Sequence, residues 1–235
     1  INRGNDVNIA PVLNRVPGVY MQSGALNTNK ITIRGIGSRN LYGTSKIRAY
    51  YGDIPLTSGN GETTIEDFEL NSMSRLEIEK GASSIYGAGL GGTIHLIPKN
   101  SYLNQTKAET GFTVGSFGLV KGIVNVNHGV ENFGLRAIYS NTHSDGFRAN
   151  NEYDRQTFTL SSSVFVGEKD DITIIGSFVD LKAFIPSSIN EDDYLNNPEK
   201  AAFTWRSSQG YEDSQRGILG VSWNHEYTSS LKQNM

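Results

Sequence analysis

Cysteine is absent from all 235 residues, which excludes a disulfide framework, a zinc–cysteine centre and thiol catalysis. No run approaches the roughly 18 consecutive apolar residues that a membrane-crossing helix requires. An excess of one charge is missing too. The 21 Lys and Arg and 24 Asp and Glu leave a net charge of -3 and are mixed along the chain, so nucleic acid is not expected as a partner. None of these absences bears on a membrane barrel, whose strands alternate apolar and polar residues and never look hydrophobic in a window average. The chain opens at Ile1 without a charged-then-apolar leader, so any secretion signal is expected to have been removed or to lie outside it.

What is present divides near residue 100. Up to Asn100 the chain mixes short apolar runs, glycine pairs and one helical start, where Ile9, Val12, Leu13 and Val16 share a face ahead of Pro17-Gly18. Strand-like runs follow at Lys30 to Arg34, Ile47 to Tyr51, Arg75 to Lys80 and Thr93 to Ile97. From about Thr106 the period becomes two. Six strands are expected, beginning with Ala108 to Ser116 and ending with the alternation of Leu219, Val221 and Trp223 against Gly220, Ser222 and Asn224.

The connections alternate in length. Short turns are expected at Glu131-Asn132 and at Glu168-Lys169-Asp170, and long loops at about His143 to Asp154 and Ala183 to Asp213. In an up-and-down meander this puts the short turns at one end and the long loops at the other, as in outer-membrane barrels. The last loop, about thirty residues read as lacking helix, is of the kind that is usually functional. A soluble antiparallel sandwich shows the same period. Against it, the polar face is built from Ser, Thr, Asn and Gly, which suits a wet lumen better than a free surface. Six strands are too few to close a membrane barrel, for which about eight is the minimum, so the chain is expected to be truncated at Met235.

Four motifs in the first region resemble the plug domain of TonB-dependent receptors, in that family's order. Leu13-Asn14-Arg15-Val16-Pro17-Gly18-Val19 is similar to its helix exit and Ile31-Thr32-Ile33-Arg34-Gly35 to its "I-x-I-R-G" strand. The run from Met73 through Glu77-Ile78-Glu79-Lys80-Gly81 to Tyr86-Gly87 resembles "I-E-V-x-R-G-P-x-S-x-x-Y-G". Gly91-Gly92-Thr93-Ile94-His95-Leu96-Ile97-Pro98-Lys99 resembles the plug's last strand. Lys80-Gly81-Ala82 departs from the usual Arg-Gly-Pro, and Tyr51-Gly52-Asp53-Ile54-Pro55 from "D-G-x-P".

The resemblance implies a mainly β protein: a small α+β plug over 1–100, lacking its N-terminal part, and a truncated transmembrane antiparallel barrel over 101–235, both in the bacterial outer membrane. It also implies that Arg34 and Lys80 match two plug cations that pair with carboxylates on the barrel wall, the wall residues concerned lying outside this chain. The implied activity is active uptake of a ferric chelate, a siderophore or ferric citrate. Uptake of another nutrient such as cobalamin or an oligosaccharide stays open, as does a non-transporting surface barrel or adhesin. The implied partners are TonB, through a box expected before Ile1, the nutrient ligand and outer-membrane lipid. No catalytic residue and no cofactor is implied.

Plug tips facing the ligand are expected at Gln22, Arg39, Asn40, Tyr42 and Asn60, whose amide, cationic and phenolic groups suit carboxylate or catecholate oxygens. In the long loops His143, Arg148, Tyr194, Trp205 and Arg206 offer further cations and aromatic faces for an anionic, ring-bearing ligand. A solvated loop, or one packed on itself, is the alternative for each. His95, His128 and His225 show no paired metal-ligand spacing and are expected to be structural, and Asn190-Glu191-Asp192-Asp193 lacks a calcium loop's order. Gly87-Ala88-Gly89-Leu90-Gly91-Gly92 fits G-x-G-x-x-G. The dinucleotide motif needs a helix next, and the residues that follow read as a strand.

Overall fold

A helix, a hairpin and a four-stranded sheet enclose one apolar core, and a seven-stranded meander flanks it. The computed structural model describes residues 7–26, 28–38, 46–57, 63–82 and 89–235. Helix α1 (Ala10–Asn14) starts with a proline at its first positions and buries Ile9 and Leu13, while Val12 and Val16 pack on the same core. Asn14 ties its end to the next strand: Met21 N donates to Asn14 Oδ1 at 2.7 Å and Asn14 Nδ2 donates to Met21 O at 3.0 Å.

That strand, β1 (Val19–Ala25), pairs antiparallel with β2 (Thr28–Ile33). It was not expected from the sequence, where its first residues read only as a helix exit. Beyond the hairpin come β3 (Ile47–Tyr51), β4 (Ile54–Pro55), β5 (Met73–Glu79) and β6 (Gly92–Pro98), ordered β4-β3-β6-β5, with β6 parallel to β3 and antiparallel to β5. Residues after the glycine cluster therefore form a strand, which removes the dinucleotide reading. Gly92 has φ +135° and a Cβ there would stand 2.2 Å from Glu79 O, so only glycine permits β5 and β6 to close up.

The wall comprises β7 (Thr106–Val114), β8 (Val120–Val130), β9 (Phe133–Ser144), β10 (Tyr153–Val166), β11 (Asp170–Phe184), β12 (Tyr211–Thr228) and β13 (Leu231–Asn234), each hydrogen-bonded to its chain neighbours. The six expected strands are present and the short β13 makes a seventh. The loop 185–210 is not helix-free, because it carries α2 (Glu191–Asn196) and α3 (Phe203–Ser208). Asn190 caps α2 by accepting from Asp193 N at 2.7 Å. Its acidic run fills the first helical turn, where negative charge is favoured by the helix dipole.

Register fixes which wall residues face in and which face out. Outward-facing Tyr139, Phe158 and Phe178 stand in one row, and Phe133, Val164, Ile172 and Trp223 in another. Between the rows lie Leu135, Ala137, Leu160, Ile174, Leu219 and Val221. The band runs seven residues along β9, about 20 Å at roughly 3.3 Å per residue. Phe158, Phe178, Leu219 and Val221 are 43%, 46%, 77% and 62% exposed. A contiguous apolar face of that extent, bordered by aromatic rows, matches the hydrocarbon layer of a membrane rather than water.

Candidate functional site

The inner face of the wall is polar and presses against the N-terminal unit. Lumen-facing Lys121, Thr142, Arg155, Leu181 and Ser214 stand in one register row, and Ile123, Ser140, Thr157, Val179 and Arg216 in the next. Three cations thus converge from β8, β10 and β12. Their target is one short acidic segment that leads from the N-terminal unit's Thr63 into the 3-10 turn at Leu70–Ser72.

Glu69 is fully buried and accepts from Lys121 Nζ at 2.7 Å and from Ser140 Oγ at 2.9 Å. Its carboxylate also caps the 3-10 turn, accepting from Asn71 N at 3.2 Å. Arg155 Nη1 donates to Glu66 O at 2.9 Å, while Glu66 Oε2 accepts from Asn29 Nδ2 at 2.8 Å. Asp67 receives a bidentate fork from Arg216, Nε to Oδ2 and Nη2 to Oδ1, both at 2.8 Å. Burial alone would raise the Glu69 carboxyl pKa. The Lys121 ammonium, with the Arg155 charge and the Ser140 hydroxyl, outweighs it and holds the group below its ordinary range. Nearby, burial pushes the Tyr51 phenol up to about 12, so its hydroxyl stays protonated and donates to Ser72 Oγ at 3.1 Å.

Apolar contacts extend the interface in both directions. Leu26, at the tip of the β1–β2 hairpin, packs with Val179, Leu181 and Ala183 at the long-loop end of the wall. Ile175 belongs to the N-terminal core itself, and Ile54 lies so close to Gly220 that a Cβ there would stand 2.0 Å from Ile54 Cδ1. The hairpin tip therefore lies toward the long loops, and the 52–55 turn toward the short turns.

Those long loops are tied to each other. Arg148 Nε and Nη2 donate to Lys200 O at 3.1 and 2.8 Å, and Nη1 to Ser187 O at 2.7 Å. Asn150 Nδ2 donates to Ile185 O and Gly210 O at 2.9 and 3.1 Å. The result joins the loop after β9 to the loop after β11.

The residues singled out in the sequence fall in several places. Gln22 lies exposed on β1 opposite Lys30. His143, at the loop end of β9, is half-exposed between Asp154, at 2.8 Å, and Asp145, at 3.3 Å. Tyr194 is exposed on α2, and Trp205 and Arg206 lie within α3. Arg39, Asn40, Tyr42 and Asn60 lie outside the described residues. Arg34 is exposed, and Lys80 Nζ donates to Pro17 O at 2.6 Å. Among the described residues neither pairs with a wall carboxylate; the ion pairs that are present run the other way, from wall cations to Asp67 and Glu69. Sequence reasoning did not find this set, although Glu66-Asp67-Phe68-Glu69 is a visible acidic run. His95, His128 and His225 are held by a stacked Tyr50 ring, Thr106 and Asp170 respectively.

Residues 1–93 match the family model described as "TonB-dependent Receptor Plug Domain". The N-terminal unit is a TonB-dependent receptor plug. The whole chain also has the fold of solved transporters and uptake receptors. These include the copper transporter OprC (13% identity, TM-score 0.74, 97% of this chain and 33% of that one). The ferric yersiniabactin uptake receptor FyuA from Yersinia pestis matches at 14% identity and TM-score 0.72, over 94% of this chain and 36% of that one. The siderophore receptor PiuA from Acinetobacter baumannii matches at 18% identity and TM-score 0.71, over 95% and 32%. The chain spans about a third of their length. The family match thus falls on the N-terminal unit, and the seven strands, apolar outside and polar inside, form a wall that holds that plug.

Proposed function

We propose that the chain is part of a receptor that takes up a ferric chelate, a siderophore or ferric citrate, across the outer membrane in a TonB-dependent manner. The observation that carries this reading is the mouth of the site. Loops 145–152 and 185–210, joined through Arg148 and Asn150, stand at the wall end toward which the plug hairpin tip is turned. A ligand entering there meets loop side chains on one side and plug on the other. Of the structurally similar proteins named above, one is described as a ferric yersiniabactin uptake receptor and one as a siderophore receptor, which supports the choice of cargo.

In this reading Arg148 shapes the mouth, because its guanidinium is already directed at loop carbonyls. Gln22, His143, Tyr194, Trp205 and Arg206 contact the ligand, together with Arg39, Asn40, Tyr42 and Asn60 on motif position alone. Arg34 and Lys80 pair with wall carboxylates beyond the seven strands. The chain performs no covalent chemistry, and TonB acts through a segment ahead of Ile1. Growth on ferric citrate as sole iron source tests the reading, in a host without other ferric-chelate receptors, with and without the full-length gene. Growth that depends on the gene supports it, and equal growth in both strains refutes a role in ferric citrate uptake.

A further inference from the structure

The wall cations facing Glu66, Asp67 and Glu69 have more donors than the plug uses. Arg155 Nε and Thr142 Oγ1 are buried and have no hydrogen-bond partner, although Arg155 is only 3% exposed and Thr142 fully buried. Buried cations also bring little stability: an ion pair taken out of water roughly breaks even with well-packed apolar residues. Yet Lys121, Arg155 and Arg216 come from three strands and fall within two adjacent register rows, forming a belt across the sector. The plug covers that belt with carboxylates and a carbonyl, which are the oxygen donors an iron-chelating anion also carries.

From this we infer that Lys121, Arg155 and Arg216 line the translocation path and act as the wall's acceptor for a polyanionic chelate, with the plug segment 66–69 occupying their place at rest. The inference rests on the uptake reading above and adds the charge class of the cargo. When the plug segment is drawn away, the Lys121 and Arg155 charges and two surplus donors are released into the lumen, together with the Arg216 edge that held Asp67, Arg216 Nη1 staying on Glu212 Oε1 at 2.6 Å. A cleft lined by one sign concentrates the opposite ion, so an anion leaving the mouth finds its next favourable position there. Withdrawal of the plug then both opens the path and makes it attractive to the ligand, and the segment's return displaces the ligand inward.

The test uses the full-length receptor in planar lipid bilayers under a potassium chloride gradient, with chloride and potassium as the probes. One variant neutralises the segment: Glu66→Gln, Asp67→Asn and Glu69→Gln. A second adds Lys121→Gln, Arg155→Gln and Arg216→Gln. Both loosen the plug, but only the first leaves the belt charged. The first is expected to open with chloride preferred over potassium by about tenfold, and the second to lose that preference. Equal selectivity in both variants, or no opening in the first, overturns the inference. Should the triple variant fail to fold, Glu69→Gln alone frees the Lys121 charge from its carboxylate partner, and a smaller chloride preference that Lys121→Gln cancels is the expected result; no preference overturns it. The measurement needs no chelate, so it can fail while the growth test succeeds, and the reverse.

Discussion

Lys121 Nζ, on the second wall strand, lies 2.7 Å from Glu69 Oε1 of the plug, with the two side chains 5% and 0% exposed. The pair joins residues that are far apart in the chain and fastens the plug to the wall. Removing one partner strands a buried charge, which typically costs about 3–5 kcal/mol. Lys121→Met in the full-length receptor is therefore expected to loosen the plug by that amount, read from hydrogen exchange of plug amides. The double variant Lys121→Met, Glu69→Leu should lose less than Lys121→Met alone. If it loses more, the pair is not coupled as described.

The same pair sets a pH dependence. The Glu69 carboxyl is held below its ordinary value of 4.5. A depressed carboxyl contributes stability that is fully present above the unfolded value and is lost as pH falls through the lower folded value. Between pH 7 and 5 the stability difference between wild type and Glu69→Gln should thus stay constant, and it should shrink only below about 4.5. Urea titrations at a series of pH values check this. A difference that already shrinks between pH 7 and 6 contradicts it.

Much of the fold could be read in the sequence because period-two alternation and turn residues are local signals. The six longer wall strands, the two short turns and the Ile9–Leu13 helix face were accessible in that way. Strand β1 was obscured because Gln22, Ser23 and Gly24 carry no apolar alternation; its pairing with β2 supplies what the pattern lacks. Helix α2 had a readable start, an Asn followed by three acidic residues, which is a cap and a dipole-matched first turn rather than bare solvated charge. The wall cations were hidden for a different reason. Lys121, Arg155 and Arg216 sit where any lumen-facing polar residue would, and only tertiary structure shows that one plug segment meets all three.

Gly92 is expected to tolerate no side chain. Its φ of +135° and the 2.2 Å approach of a Cβ to Glu79 O combine backbone strain of about 1–3 kcal/mol with a clash against backbone that cannot rotate away. Gly92→Ala should part β5 from β6 and leave the plug sensitive to protease while the barrel remains folded. A protease-resistant Gly92→Ala plug would contradict the register described.

Arg148 should matter to the loops and not to the barrel. Its hydrogen bonds to Lys200 O and Ser187 O are charge-assisted and only partly exposed, each worth about 1.5–3 kcal/mol at most. Arg148→Ala is expected to speed hydrogen exchange in 145–152 and 185–202 by roughly tenfold or more, as a loss above about 1.4 kcal/mol implies. The thermal stability of the barrel should not change. Unaltered loop exchange would show that Arg148 does not hold the mouth together.

The most direct test of the central claim is accumulation of radioiron-labelled ferric citrate by cells carrying the full-length receptor, measured with and without TonB. Accumulation should need both the receptor and TonB, with surface binding persisting when TonB is absent. Accumulation that is the same without the receptor, or that continues undiminished without TonB, would contradict it.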